Sequence, residues 1–115
     1  MNYRMDRLNS QMQKIISEII QFRVKDPRVC GMVTVLSVEC TKDLKLAKVV
    51  VSIYGEEEDV NEAFAALVKC SGFIRRELAS EFKDIRFIPE IKFYLDGSMQ
   101  YGAKIDKILE QIKNR

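Results

Sequence analysis

Two apolar alternations stand back to back in the middle of this chain and constrain its fold more than any other feature. Val33 and Val35, then Leu36, Val38 and Cys40, form the first; Ala47, Val49, Val51 and Ile53 form the second. A period of two puts successive side chains on opposite faces of a strand, so each run has one apolar face. Both are rich in β-branched residues. The link Thr41–Lys45 is short enough for a turn, and a hairpin is the natural connection. The phase slips by one between Val35 and Leu36, the mark of a bulge. A lone hairpin cannot hold itself together in water, so other elements must cover its apolar face.

The flanks supply them. Met5, Leu8, Met12, Ile15, Ile16 and Ile19 recur at helical spacing and predict one long amphipathic helix from Arg4 to Val24. Arg7, Lys14, Gln21 and Lys25 line up on the opposite side. Asp26-Pro27 stops that helix, because proline disfavours the helical conformation in the residue before it. Asp59 with Glu62 reads as a capping-box start for a second helix running from Val60 to about Lys69. Cys70-Ser71-Gly72 then bends the chain before Phe73 to Ala79 resumes helical spacing. Phe87, Pro89, Ile91, Phe93 and Leu95 alternate as a third strand, with proline near its beginning. Asp96-Gly97-Ser98 turns into a last amphipathic helix carrying Tyr101, Ile105, Ile108, Leu109 and Ile112. The expected architecture is α+β, in the order α-β-β-α(kinked)-β-α, with a three-stranded sheet and helices packed on one side. The third strand follows a helical crossover, so it is expected to pair in parallel with a hairpin strand, right-handed by the usual rule.

With 115 residues, 47% apolar and 31% charged, the chain supports one core, and residues 1–115 read as a single domain. Charges interrupt every apolar stretch, and Arg4, Asp6 and Arg7 occupy the place of a secretory apolar region, so no membrane partner and a cytoplasmic location are expected. Cys30, Cys40 and Cys70 have neither disulfide nor zinc-ligand spacing and read as small apolar fillers. Histidine is absent, and no serine has an activating partner nearby or a G-x-S-x-G setting. Neither catalytic nor metal-ligating residues are assigned, no cofactor is implied, and the chain is not expected to be an enzyme.

Net charge is only +2, but it is unevenly spread. Residues 1–28 carry six basic and three acidic side chains, and residues 55–68 five acids and no base. Residues 69–86 again favour the basic side, five to three. One face can therefore be basic. On charge pattern alone, the stripe on the first helix is more simply its solvated face. The acidic segment 55–59 is most simply a solvated loop and helix start.

Several separated motifs resemble the ribosome-binding factor A family along nearly the whole length. They are Lys25-Asp26-Pro27-Arg28, Val33-Thr34-Val35 with Val38, and the run Asp43 to Ser52. In the second half come Gly72-Phe73-Ile74-Arg75-Arg76-Glu77-Leu78, the run Arg86 to Phe93, and Asp96-Gly97-Ser98. The resemblance implies a K-homology-like domain of type II. It also implies a monomeric assembly factor that binds the free 30S ribosomal subunit late in assembly and contacts its 16S rRNA. Such a factor promotes maturation of precursor rRNA without cutting it, and its family is associated with growth in the cold. Where that family has an Ala-x-Gly kink this chain has Cys70-Ser71-Gly72, and the family's frequent C-terminal extension is expected to be missing.

The candidate RNA-binding residues fall in three groups. Arg4, Arg7, Lys14 and Lys25 belong to the first-helix stripe, and Arg28 to the motif that stops it. Lys69, Ser71, Gly72, Arg75, Arg76 and Arg86 surround the kink, where glycine admits a phosphate backbone and guanidinium groups hold phosphates bidentately. Tyr54 and Tyr94 lie on the polar phases of their strands and are candidates for base stacking, whereas Phe73, Phe87 and Phe93 are expected in the core. The rival reading is a protein-binding adaptor whose basic residues only keep it dissolved.

Overall fold

The computed structural model describes residues 3–29, 31–82 and 88–96. Its elements are α1 (Tyr3–Glu18), a π-helical turn (Ile19–Arg23), β1 (Val33–Cys40), β2 (Leu46–Ile53), α2 (Glu57–Lys69), α3 (Ser71–Glu81) and β3 (Glu90–Leu95). The expected last helix, Phe87 and Cys30 lie outside the described residues.

The hairpin forms as its alternation requires. β1 and β2 pair antiparallel from Val33 opposite Ile53 to Cys40 opposite Ala47. The register shifts between Val35 and Ser37, leaving Leu36 as the extra residue. That one insertion lets Val33, Val35, Val38 and Cys40 all stay buried. The turn is tightened by side chains: the Thr41 hydroxyl lies 2.7 Å from Asp43 Oδ1, and the Lys45 N–H donates to the same oxygen at 3.1 Å. Leu44 takes a left-handed backbone, φ 59°. β3 pairs in parallel with β2, Ala47 beside Ile91 and Val51 beside Leu95, in the sheet order β1-β2-β3.

The core lies between this sheet and the helices. Ala47, Val49 and Val51 are fully buried on β2, facing Met12, Ile16 and Ile19 from the first helical segment and Leu67, Ile74 and Leu78 from α2 and α3. The described helices therefore cover one side of the sheet. Thr34, Ser37, Glu39, Lys48 and Lys92 are exposed on the other. α1 is fastened along β1 by two amides: Asn9 Oδ1 accepts the Cys40 N–H at 2.9 Å, and Gln13 Nε2 donates to the carbonyl of the bulged Leu36 at 3.2 Å. Phe93 is buried, as expected; Cys40 is buried against Met12, and burial pushes its thiol pKa up.

Two boundaries differ from the sequence expectation. The first helix does not run evenly to Val24, because residues 19–23 widen into a π-turn closed by the Val24 N–H on the Ile19 carbonyl at 2.9 Å. The extra residue lets Ile19 and Ile20 both stay buried, and the chain leaves the turn extended at Val24. α2 starts three residues before Val60, with Glu56 as N-cap and no side-chain cap, so Asp59 lies inside the first turn instead of capping it. Glu57, Glu58 and Asp59 all fall in that turn, where the helix dipole favours negative charge.

Candidate RNA-binding surface

The bend between α2 and α3 is built without breaking the backbone ladder. Cys70, at φ −84° and ψ −2°, donates its N–H to the carbonyls of both Ala66 (3.1 Å) and Leu67 (3.0 Å). The Ser71 hydroxyl donates to the Val68 carbonyl at 2.7 Å, and helical bonding resumes with the Ile74 N–H on the Cys70 carbonyl at 2.9 Å. Ser71 is thereby spent on holding the kink.

Gly72 does not serve the backbone in the same way. Its φ is not in the left-handed region, and a Cβ built there would meet nothing within 4 Å. The domain's own packing would accept alanine. What glycine leaves is a bare strip of backbone at the surface, bordered by Lys69 and Arg76. Gly72 and Arg76 stand four residues apart on one face of α3, Lys69 closes α2 at the bend before them, and all three are exposed. Arg75 points elsewhere: its Nε and Nη2 donate to the Ile88 carbonyl at 3.2 and 2.8 Å, tying α3 to the approach to β3. Arg86 lies outside the described residues.

The π-turn brings the Lys25-Asp26-Pro27-Arg28 segment to the same place. An open groove of about 390 Å³ separates this segment from the kink, lined by Arg23, Val24, Lys25, Asp26, Cys70 and Phe73. Asp26 forms a tight local unit with Arg28. It accepts the Arg28 N–H at 3.0 Å and grips the guanidinium through Nε at 3.0 Å and Nη2 at 2.8 Å. These bonds to Arg28, side chain first and backbone second, hold the Asp26 pKa down to about 2, against an ordinary 3.8. A depressed carboxyl contributes stability that is complete above its unfolded pKa and lost as pH falls through the folded one. Asp26→Asn is therefore expected to flatten the loss of thermal stability between pH 3.8 and about 2. An unchanged acid profile would show that the pair does not persist in solution.

Arg28 is thus at once a helix-stop partner and an exposed cation, its own pKa raised by Asp26. Lys25 is exposed and has no ion-pair partner among the described residues. Arg23, not anticipated as a special position, bridges Glu77 at 3.2 Å and Glu81 at 2.7 Å and so clamps the π-turn to α3. No local pattern marks this pairing, since its members stand more than fifty residues apart.

Arg4, Arg7 and Lys14 are exposed on α1 as expected, but the stripe does not continue to Lys25. The π-turn rotates the chain out of phase, and Lys25 joins the kink instead. Arg7 stands roughly 16 Å from the end of α1, given about 1.5 Å of rise per residue. The structure therefore brings Lys25, Arg28 and Lys69 to the kink, with Gly72 and Arg76 on the adjoining face of α3, and leaves Arg4, Arg7 and Lys14 on α1. The acidic first turn of α2 is at the opposite end of that helix from Lys69, about 18 Å away on the same measure. Tyr54 is 69% exposed and Tyr94 half-buried on the outer sheet face. Among the described residues no helix is long and apolar enough to cross a membrane, and no cluster of acidic or cysteine side chains could hold a metal ion.

The fold and this surface define a small α+β domain with a bent helix pair carrying a cationic, glycine-bared edge. Residues 4–109 match the family model for ribosome-binding factor A. Ribosome-binding factor A from Caldanaerobacter subterraneus subsp. tengcongensis is 46% identical over the whole chain and 93% of that protein. The crystal structure of ribosome-binding factor A from Thermus thermophilus superposes with a TM-score of 0.69 at 27% identity, covering 79% of this chain and 93% of that one. A Thermus thermophilus homology model fitted into a cryo-EM map of a complex between the 30S subunit and that factor gives 0.66 at 27%, over 81% and 96% of the two chains. The chain belongs to the ribosome-binding factor A family.

Proposed function

We propose that the domain is a late-acting, non-catalytic assembly factor that binds the free 30S subunit through its 16S rRNA, in the cytoplasm and as a monomer. It is read as a K-homology-like domain of type II. The observation that carries the reading is the kink: an exposed glycine with no steric or conformational reason for being one, bordered by Lys69 and Arg76 and close to Lys25. A backbone strip flanked by cations suits a phosphate chain, because affinity for RNA comes from phosphate contacts and their register. With no G-x-x-G loop, recognition rests on shape more than on base sequence. The factor acts by binding one rRNA conformation better than another and can shift their balance only by that difference. Processing of precursor 16S rRNA follows from holding a processable conformation, with cleavage done by other proteins.

The Thermus thermophilus homology model fitted into a map of a 30S complex supports the partner. In cells deleted for the protein, precursor 16S rRNA should accumulate and growth in the cold should slow. Wild-type protein should restore both, whereas a folded Lys69→Glu/Arg76→Glu variant should not. Normal maturation in the deletion would contradict the reading.

Gly72→Ala gives a second, opposed pair of readouts. Alanine favours helix over glycine by about 0.5–1 kcal/mol, so the isolated protein should melt at the same or a higher temperature. The added methyl group stands where a phosphate would approach, so affinity for the subunit should fall roughly tenfold. Equal loss of both would make Gly72 a packing residue. The adaptor reading draws on Phe22, which is 78% exposed on the π-turn. It requires binding that hardly changes with salt.

A further inference from the structure

The groove between the π-turn exit and the kink has a composition that the phosphate contacts do not use. Val24, Cys70 and Phe73 supply an apolar floor. The Cys70 thiol is pushed up in pKa, chiefly by burial, and is neutral at physiological pH. An ionic group placed on that floor would give up its hydration without a partner. The rim is the reverse. Lys25 and Arg23 stand on it, and Lys69 lies near enough to act on the Asp26 carboxyl. Asp26, the single acid in the lining, is already matched by Arg28, and Arg23 by Glu77 and Glu81. Lys25 and Lys69 are the cations left over.

A flat, neutral, apolar body joined to anions on either side meets both demands. The volume, about 390 Å³, is in the lower part of the range for small-ligand sites and admits one aromatic ring system but no helix. We propose that the groove receives a single unpaired nucleobase of the bound rRNA, stacked on Phe73, while Lys25 and Lys69 hold the phosphates that flank it. The inference rests on the proposed function and adds to it a base contact at a defined place. Lys69 acts on the Asp26 carboxyl and Phe73 lines the groove with Asp26, which lets one nucleotide reach both.

The test uses the full chain, free 30S subunits and Cys70→Leu, whose longer side chain fills the groove. Cys70→Met is the second variant should leucine prevent folding, and Leu36→Met, at an exposed position on the bulge of β1 outside the groove, is expected to bind as wild type does. Filling the groove should lower affinity roughly tenfold, the lower range for losing one stacked base. Dimethyl sulfate and carbodiimide probing at saturating protein should show one unpaired 16S base shielded by wild type and exposed again with the filled variant. Hydroxyl-radical protection of the adjacent backbone should persist. A folded, filled variant with wild-type affinity and an unchanged base pattern would overturn the proposal. Lower affinity without any change in base reactivity would overturn it too, and would assign the groove to a ribosomal protein. Failure of the wild-type protein to bind 30S subunits at all would remove the functional reading beneath it.

Discussion

Lys69→Glu/Arg76→Glu is expected to lower affinity for free small subunits roughly a hundredfold while leaving the fold intact. Both side chains are exposed on the kink face, and neither has an ion-pair partner among the described residues. A hydrogen bond to a charged group contributes about 1.5–3 kcal/mol. Losing two, at about 1.4 kcal/mol per factor of ten, gives two decades or more. Reversal adds repulsion from the phosphates. The comparison that isolates the site is Arg4→Glu/Arg7→Glu, the same charge change at the far end of α1, with an expected loss of less than tenfold. If both pairs cost the same, binding follows overall charge, and the kink has no special place in it.

Leu78→Ala is expected to lose about 2–5 kcal/mol of folding stability, the usual range for truncating a large buried aliphatic side chain. Leu78 is fully buried, as is Ile74 one turn before it, and the two seat α3 in the core. A domain of this size has about 5–15 kcal/mol in all, so the variant should unfold at markedly lower denaturant. Its consequence for binding is indirect. Once α3 loosens, the Arg23 bridges to Glu77 and Glu81 and the Arg75 bonds to Ile88 lose their anchors, and the kink no longer has a fixed shape. Urea denaturation followed by circular dichroism checks this. A loss below about 1 kcal/mol would mean that α3 is not seated as described.

The sheet was readable because its signals are local. Period-two runs, a five-residue turn and a single phase slip gave both hairpin strands, the position of the bulge and the face that is buried. That the third strand would pair in parallel with a hairpin strand came from the helical crossover; that the partner is β2 came only with the fold. The kink was legible in the Cys70-Ser71-Gly72 break and in the return of helical spacing after it, although Cys70 and Ser71 shape the bend and Gly72 does not. The π-turn was not: Ile15, Ile16 and Ile19 fit an even helix, and one extra residue in the turn after them leaves no mark in the apolar pattern. That blind spot mattered for function, because it misplaced Lys25 on the α1 stripe. Arg75 looked like a free cation because its acceptor, the Ile88 carbonyl, carries no side-chain signature. The start of α2 was misjudged because a capping-box spacing outweighed three consecutive acids that suit a first helical turn equally well. Basic residues near a kink can be listed from sequence, but which of them remain available to a partner depends on contacts that only the fold creates.

The central claim is that the kink face binds small-subunit rRNA through its phosphates. Cosedimentation of the purified protein with 30S subunits, 50S subunits and whole ribosomes over a salt series tests it most directly. The expected result is selective association with free 30S subunits, with log affinity falling linearly against log salt. Each phosphate neutralised should contribute about 0.7–0.9 to the slope, and Lys69→Ala/Arg76→Ala should reduce the slope by roughly 1.4–1.8. Equal association with every particle, or a slope near zero for the wild type, would contradict the account.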